Sequence, residues 1–363
     1  MGRVRKFFAG GITPQGFHSF FDQIAAGVPY RVYILKGGPG TGKSTLMMKI
    51  AERMSALGYD IEQFHCSSDA DSLDGVAVPA LKAAVVDGTA PHIIEPKYPG
   101  CVERVINLGE FWDADQIASR REQIIELTDE NKACYPRAYR YLRAAKELHN
   151  DMCEINKSCM DFAQVNQVIK NLVLEIFGNW EDQGRLGRIR RLFASAYTPQ
   201  GQVNELHSIM EDFPIQFIIK GEPGAGRDLV MERIADYASA RGCDVEAYHC
   251  PLDPTRIDHL ALPQLGTALI SSYPPHIYEK RGAEVVNLND YLDHYRRSHY
   301  QYTLHKNFVL FEELVNLALG QLRRAKAIHD DLELNYVRFM DFTKFDEIQE
   351  QIIADILAEQ SNR

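Results

Sequence analysis

The chain has 363 residues, room for two or three domains, and is 45% apolar and 25% charged. That balance belongs to ordinary globular proteins and excludes collagen-like, disordered and disulfide-scaffold classes. With 40 Lys and Arg against 50 Asp and Glu the net charge is −10, the wrong sign for a dedicated duplex nucleic-acid binder.

Arg3, Arg5 and Lys6 alternate with apolar residues and read as a solvated edge strand, with a nucleic-acid or phosphate contact as the alternative. No apolar stretch follows them, so no secretory signal is read there, and Lys6 stands where a myristoylation motif needs Ser or Thr. Thr13 is suited to cap a helix with Pro14 in its first turn, ending near Ala26. Residues 30–35 form an apolar strand that runs into a glycine cluster. Residues 44–57 place Leu46, Met47, Ile50, Met54 and Leu57 at helical spacing and stop at Gly58. Residues 60–66, 83–86 and 102–108 read as further strands. Strands alternating with helices predict an α/β fold, a parallel sheet covered by helices.

Residues 114–180 are long, charged and periodic at three and four, which predicts an appended helical hairpin or small bundle with Pro136 as its break. Arg143, Lys146 and His149 share one helical face there. They are expected to pair with Glu147, Asp151 and Glu154, or else to form a positively charged lid over a triphosphate. Residues 294–360 repeat this helical character.

The whole chain is a duplication. Thr13-Pro14-Gln15-Gly16 returns 185 positions on as Thr198-Pro199-Gln200-Gly201, and Arg3, Arg5 and Lys6 as Arg188, Arg190 and Arg191. Phe64-His65-Cys66 returns as Tyr248-His249-Cys250, Pro91-His92 as Pro275-His276, and Met160-Asp161-Phe162 as Met340-Asp341-Phe342. Two copies of about 180 residues result. The first is residues 1–185 (core 1–113, helical part 114–185) and the second 186–363 (core 186–293, helical part 294–363). Such halves are expected to pack about a pseudo-two-fold axis.

Gly37-Gly38-Pro39-Gly40-Thr41-Gly42-Lys43-Ser44, followed by Thr45, satisfies G-x-x-x-x-G-K-[ST] between a strand and an amphipathic helix. Glycines let backbone N–H groups curl around phosphate oxygens at the helix N-terminus. Lys43 is expected to reach the β- and γ-phosphates of ATP, and the Ser44 hydroxyl to bind Mg²⁺. This loop and its setting resemble the P-loop NTPase superfamily. The tandem arrangement, with Thr13-Pro14-x-Gly16, His65-Cys66-x-x-Asp69 and Asp87-Gly88-Thr89-x-Pro91-His92, also resembles a bacterial family of two-copy P-loop ATPases. The resemblance implies an acid at the end of an apolar strand holding Mg²⁺ through water. Asp87 fits, although Asp87-Gly88 could be a simple turn. The superfamily often has a general-base Glu next, and here Gly88 takes that place. Asp69, Asp71 and Asp74 follow the second strand and could act on an acceptor, or simply cap loops.

In the second copy Lys43 becomes Arg227, Ser44 becomes Asp228, Thr45 becomes Leu229, Asp71 becomes Thr255 and Asp87 becomes Ser271. Asp228 would set a carboxylate against phosphate oxygens, so a degenerate site is expected. Asp71 and Asp87 vanish with the chemistry and are assigned to it, whereas Asp69 and Asp74 persist and are assigned to structure. Arg227 is a candidate contact to the first site. The seven cysteines include no C-x-x-C pair and read as free thiols of a reducing compartment. His65 and Cys66, adjacent on a strand, point to opposite faces and make a poor metal pair. No run approaches the ~20 apolar residues of a membrane span. The reading is a cytoplasmic Mg-dependent ATPase that switches conformation against a protein or small-molecule partner. The alternatives are a small-molecule or nucleotide kinase and a non-catalytic ATP-binding regulator.

Overall fold

A computed structural model describes residues 1–25, 31–91 and 93–361. Ala26 and Tyr30, expected at the end of a helix and the start of a strand, lie outside the described residues, as does His92. The first half contains β1 (Val4–Phe7), the hairpin β2 (Gly10–Thr13) and β3 (Gly16–Ser19), β4 (Arg31–Lys36), α1 (Lys43–Ala56), β5 (Ile61–Cys66), β6 (Asp69–Val78), β7 (Ala83–Asp87) and β8 (Glu103–Asn107). A short α2 (Ala114–Ala118), a long α3 (Arg121–Ser158) and α4 (Phe162–Phe177) follow. The second half runs β9 (Ile189–Leu192), β10 (Ser195–Thr198), β11 (Gly201–Asn204), α5 (Leu206–Met210), β12 (Ile215–Lys220), α6 (Arg227–Ala240), β13 (Val245–His249), β14 (Ile257–Leu262), β15 (Thr267–Ser271) and β16 (Glu284–Asn287). It ends in α7 (His294–Ser298), a long α8 (Gln301–Val337) and α9 (Phe345–Ser361).

The fold is α/β, with two six-stranded sheets of matching order, β1-β5-β6-β7-β4-β8 and β9-β13-β14-β15-β12-β16. Each sheet is mixed, not wholly parallel. β6 and β14 run antiparallel to both neighbours, while the other pairings are parallel. The polar start of β6, Asp69 to Asp74, hides it from a pattern reading. Its second part, Gly75 to Val78, is fully inside.

Thr13-Pro14-Gln15-Gly16 does not open a helix. It is the turn of the β2–β3 hairpin, where Gly16 takes φ +122°, outside the helical range. The Thr13 hydroxyl donates to Gly16 O at 2.7 Å and accepts from Gln15 N at 3.2 Å, so its capping capacity is used within the turn. Thr198 and Gly201 repeat this hairpin.

Nor does Pro136 break a helix. α3 continues through it for 38 residues, about 57 Å long. The reason is its partner. α3 and α8 pack antiparallel along their length, with Arg120 bonded to Asn335, Asn131 to Ala325 O and Asp151 to Asn307. Their facing residues, among them Leu142, Ala145, Val315, Leu319 and Leu322, form a common core. The expected hairpin within each copy is thus replaced by one helix pair shared between copies.

The exchange continues past the long helices. α4 packs its Val165, Ile169 and Leu172 on Val230 and Ile234 of α6, in the second half. Conversely α9 packs Ile352, Ile353 and Ile356 on Leu46 and Ile50 of α1, in the first. Backbone bonds pin both crossings: Asp161 N to Tyr291 O and Asp293 N to Cys159 O, mirrored by Asp341 N to Phe111 O and Asp113 N to Phe339 O.

The basic segments are edge strands of their own sheets; Arg188 and Arg191 are exposed, as expected, but Arg5 and Arg190 are not solvated. Phe8 and Phe193 exchange two backbone bonds of 3.0 Å where the halves meet. Beside them Arg5 and Arg190 pair with Glu62 and Glu246 across the junction: Arg5 with Glu62, Arg5 with Glu246 at 2.8 Å, and Arg190 with Glu62 at 2.7 Å. Burial and mutual neutralisation explain the alternation. No helix among the described residues is long and apolar enough to cross a membrane.

Candidate functional site

β4 leads into the glycine loop and α1 leaves it. Gly40 and Gly42 take φ of +67° and +77°, conformations that disfavour any side chain there. Lys43 Nζ donates to Gly37 O at 2.8 Å and Gly38 O at 2.9 Å, and lies 3.7 Å from Asp87 Oδ2. Both side chains are mostly buried. The Thr41 hydroxyl donates to Gly38 O at 2.9 Å, and the Ser44 hydroxyl accepts from Leu73 N of β6 at 3.0 Å.

Asp87 closes β7, the strand paired in parallel with β4, so it stands beside the loop. Thr89 holds its other oxygen through N–H at 2.8 Å and through its hydroxyl. The Gly88 position has no room for a base: a Cβ there would lie 2.4 Å from Ile34 Cγ2.

The antiparallel register Gly75↔Val86 sets Asp74 one step beyond the ladder, across from Asp87. Asp74 is 5% exposed. Burial, then the Asp87 charge, push its carboxyl up to about 8, opposed by the Cys66 thiol and Lys43. Two carboxylates therefore share one lysine. Asp71, by contrast, is exposed and its charge faces His65. Asp69 accepts from Ser72 at 2.8 Å and pairs with Lys326 of α8 at 3.5 Å. The structure thus brings Lys43, Ser44, Asp87 and Asp74 together and leaves Asp71 aside. Thr45 is exposed in the first turn of α1 and Pro39 is half-buried in the loop.

Over this loop lies the end of α8, which sequence reasoning did not bring here. Trp112 and Tyr336 flank Gly38, and Val337 sits against Gly40. His329, 3.5 Å away, and then the Gly40 amide hold the Glu333 carboxyl below the usual range. The face carrying Arg143, Lys146 and His149 points elsewhere. Arg143 donates to Pro14 O at 2.9 Å, while Lys146 pairs with Asp253 of the second half at 3.1 Å. Neither the expected ion pairs with Glu147, Asp151 and Glu154 nor a lid over Lys43 is formed. The crossing of the long helices is the cause: it brings Lys326 to Asp69 of the first half and His329 beside Glu333, whereas Arg323 stays with its own half and donates to Pro199 O at 3.2 Å.

The second loop is closed on itself. Arg227 donates to the Ser271 hydroxyl and stacks on Tyr273, 4.8 Å from the ring centre, so it does not reach the first site. Asp228 is bound by Arg256 through Nε at 2.9 Å, and that guanidinium keeps its carboxyl below the usual range despite burial. Arg256 stands 184 positions after Ser72, a charge substitution visible in the repeat itself. Asn156 donates to Pro223 O at 2.9 Å and covers this loop.

His65 Nδ1 donates to Ala70 O, 2.7 Å away. Among the described residues no group of three or more His, Cys, Asp or Glu could hold a metal ion. Comparison with models of known protein families, with curated proteins and with solved structures finds no match.

Proposed function

We propose that the first half binds a nucleoside triphosphate, ATP, with Mg²⁺, and that the chain is a tandem of one active and one degenerate P-loop core acting as an ATPase switch. The observation that carries this reading is Lys43, seated on two loop carbonyls 3.7 Å from Asp87 at the N-terminus of α1. The donor set also fits a dication, because the Ser44 hydroxyl and the Asp87 carboxylate stand at the loop and a cation there would favour the charged form of the neighbouring Asp74. Ser44 and, through water, Asp87 would hold Mg²⁺, which when bound supplies positive charge against the phosphates. Lys43 would leave its carbonyls to meet the β- and γ-phosphates, and the loop N–H groups would orient them. With no carboxylate possible at Gly88, turnover is expected to be slow.

Titrating ATP with and without Mg²⁺ into wild type, Lys43→Ala and Asp87→Ala, with phosphate release followed in parallel, tests this. Binding lost only in Lys43→Ala, with Mg-dependence lost in Asp87→Ala, is the expected result. Binding that ignores Lys43 refutes it. ADP release that requires an added acceptor would mark a phosphotransferase, and binding without turnover a regulator.

A further inference from the structure

We infer that Glu333, carried by α8 from the second half, is an internal anion in the first loop that a nucleotide phosphate must displace, so that loading moves the end of α8. This rests on the reading of the first loop as a phosphate site. The Gly40 N–H is one of the amides such a loop offers to phosphate, and Glu333 already stands against Gly40, its carboxyl held down in part by that amide. Contact is close on the backbone side too: a Cβ on Gly40 would lie 3.1 Å from Glu333 O and 2.6 Å from Val337 Cγ2. A phosphate on that amide and a carboxylate on the same amide are mutually exclusive, and two anions there repel.

Glu333 is held charged. His329 bonds it from one turn earlier, and Lys326, one further turn back, adds positive charge. Displacement would free the His329 ring as a donor to the incoming phosphates, while Lys326 stays with Asp69 and Asp330. The device belongs to the intact loop alone: the residue equivalent to Glu333 is Cys153 of α3, whose backbone packs on Gly224 of the second loop and whose side chain carries no carboxylate. The motion has a path outward. Phe342 and Phe345, just beyond α8, pack against Gly42, and Phe345 belongs to the core that α9 shares with α1. Nucleotide occupancy in the first half would thereby shift a helix pair anchored in the second.

The test titrates a fluorescent ATP analogue, and separately inorganic pyrophosphate, into full-length wild type, Glu333→Gln, Glu333→Ala and Lys43→Ala. Both Glu333 variants should bind about tenfold tighter than wild type, the glutamine keeping shape and packing while removing charge. Hydrogen exchange at residues 337–345 should quicken in wild type on adding ATP and Mg²⁺. Glu333 variants that bind equally or more weakly, while wild-type binding still needs Lys43, overturn this inference and leave the phosphate site standing. Exchange unchanged on loading overturns it as well. Absence of binding in every protein, Glu333→Ala included, removes both.

Discussion

At the start of α1, a lysine and a serine face Asp87 and the buried Asp74. At the start of α6, an arginine and an aspartate face Ser271 and Arg256. Both loops keep their left-handed glycines, Gly40 and Gly42 in one, Gly224 and Gly226 in the other. The second loop satisfies its charges internally, and Arg256 supplies the cation that Asp228 needs. The glycines survive there for another reason. A Cβ on Gly224 would lie 2.2 Å from Cys153 O, because the opposite long helix packs directly on the loop. In this molecule the loop glycines report helix packing, and what distinguishes the two loops lies in the charged residues around them.

The symmetric part of the comparison breaks most severely at the junction. Arg5→Met should cost about 3–5 kcal/mol in denaturant unfolding, because Glu62 and Glu246 would be left buried and underpaired. A loss under 1 kcal/mol would show that the four-charge cluster is not what joins the halves. The loops themselves should separate next. Lys43→Ala should weaken ATP binding by about a hundredfold in calorimetry, a charge-assisted phosphate contact being removed, whereas Arg227→Ala should leave it within about twofold. Equal losses would erase the distinction between the halves.

Two histidines tied to the second half sharpen it further. Burial pushes His149, among Arg256 and Arg227, and His249, near Arg191, down to about 4. A depressed histidine is neutral when folded and charged when unfolded in acid. Its stability is therefore whole above the usual 6.5 and is lost as pH falls toward 4. Chemical denaturation across that window should show stability declining by about 3 kcal/mol per histidine, less in His249→Phe. The smallest effect is expected at Arg256→Ala, about 1–2 kcal/mol given its partial exposure. The double variant Asp228→Ser, Arg256→Ala should recover most of it in a double-mutant cycle with the two single variants. No coupling would mean that Asp228 does not depend on Arg256.

Much of the candidate site is local and was legible. Lys43 and Ser44 follow their glycines in one continuous motif, and Asp87 ends an apolar strand. Asp74 was assigned to structure because it recurs as Asp258, yet the antiparallel β6 sets it opposite Asp87. Glu333 carries no local signal, since its meaning comes from a helix returning from the other half. Thr13-Pro14 misleads because a capping threonine and a hairpin threonine make the same short-range bonds, and only the φ of Gly16 separates them.

Chain order alone determined the duplication and the loss of lysine, serine and aspartate from the second loop, because both rest on matches at a nearly constant shift. It also determined the glycine loops and most strand and helix positions, which rest on spacing within about twenty residues. Tertiary structure alone decided that β6 inverts within each sheet, that α3 and α8 pair across copies through Pro136, that Arg5 and Arg190 are buried, and that Glu333 lies on Gly40. The physical reason is common to all four. A periodic apolar stripe specifies that a surface must be covered but not by which segment, and here each half is covered by the helices of the other.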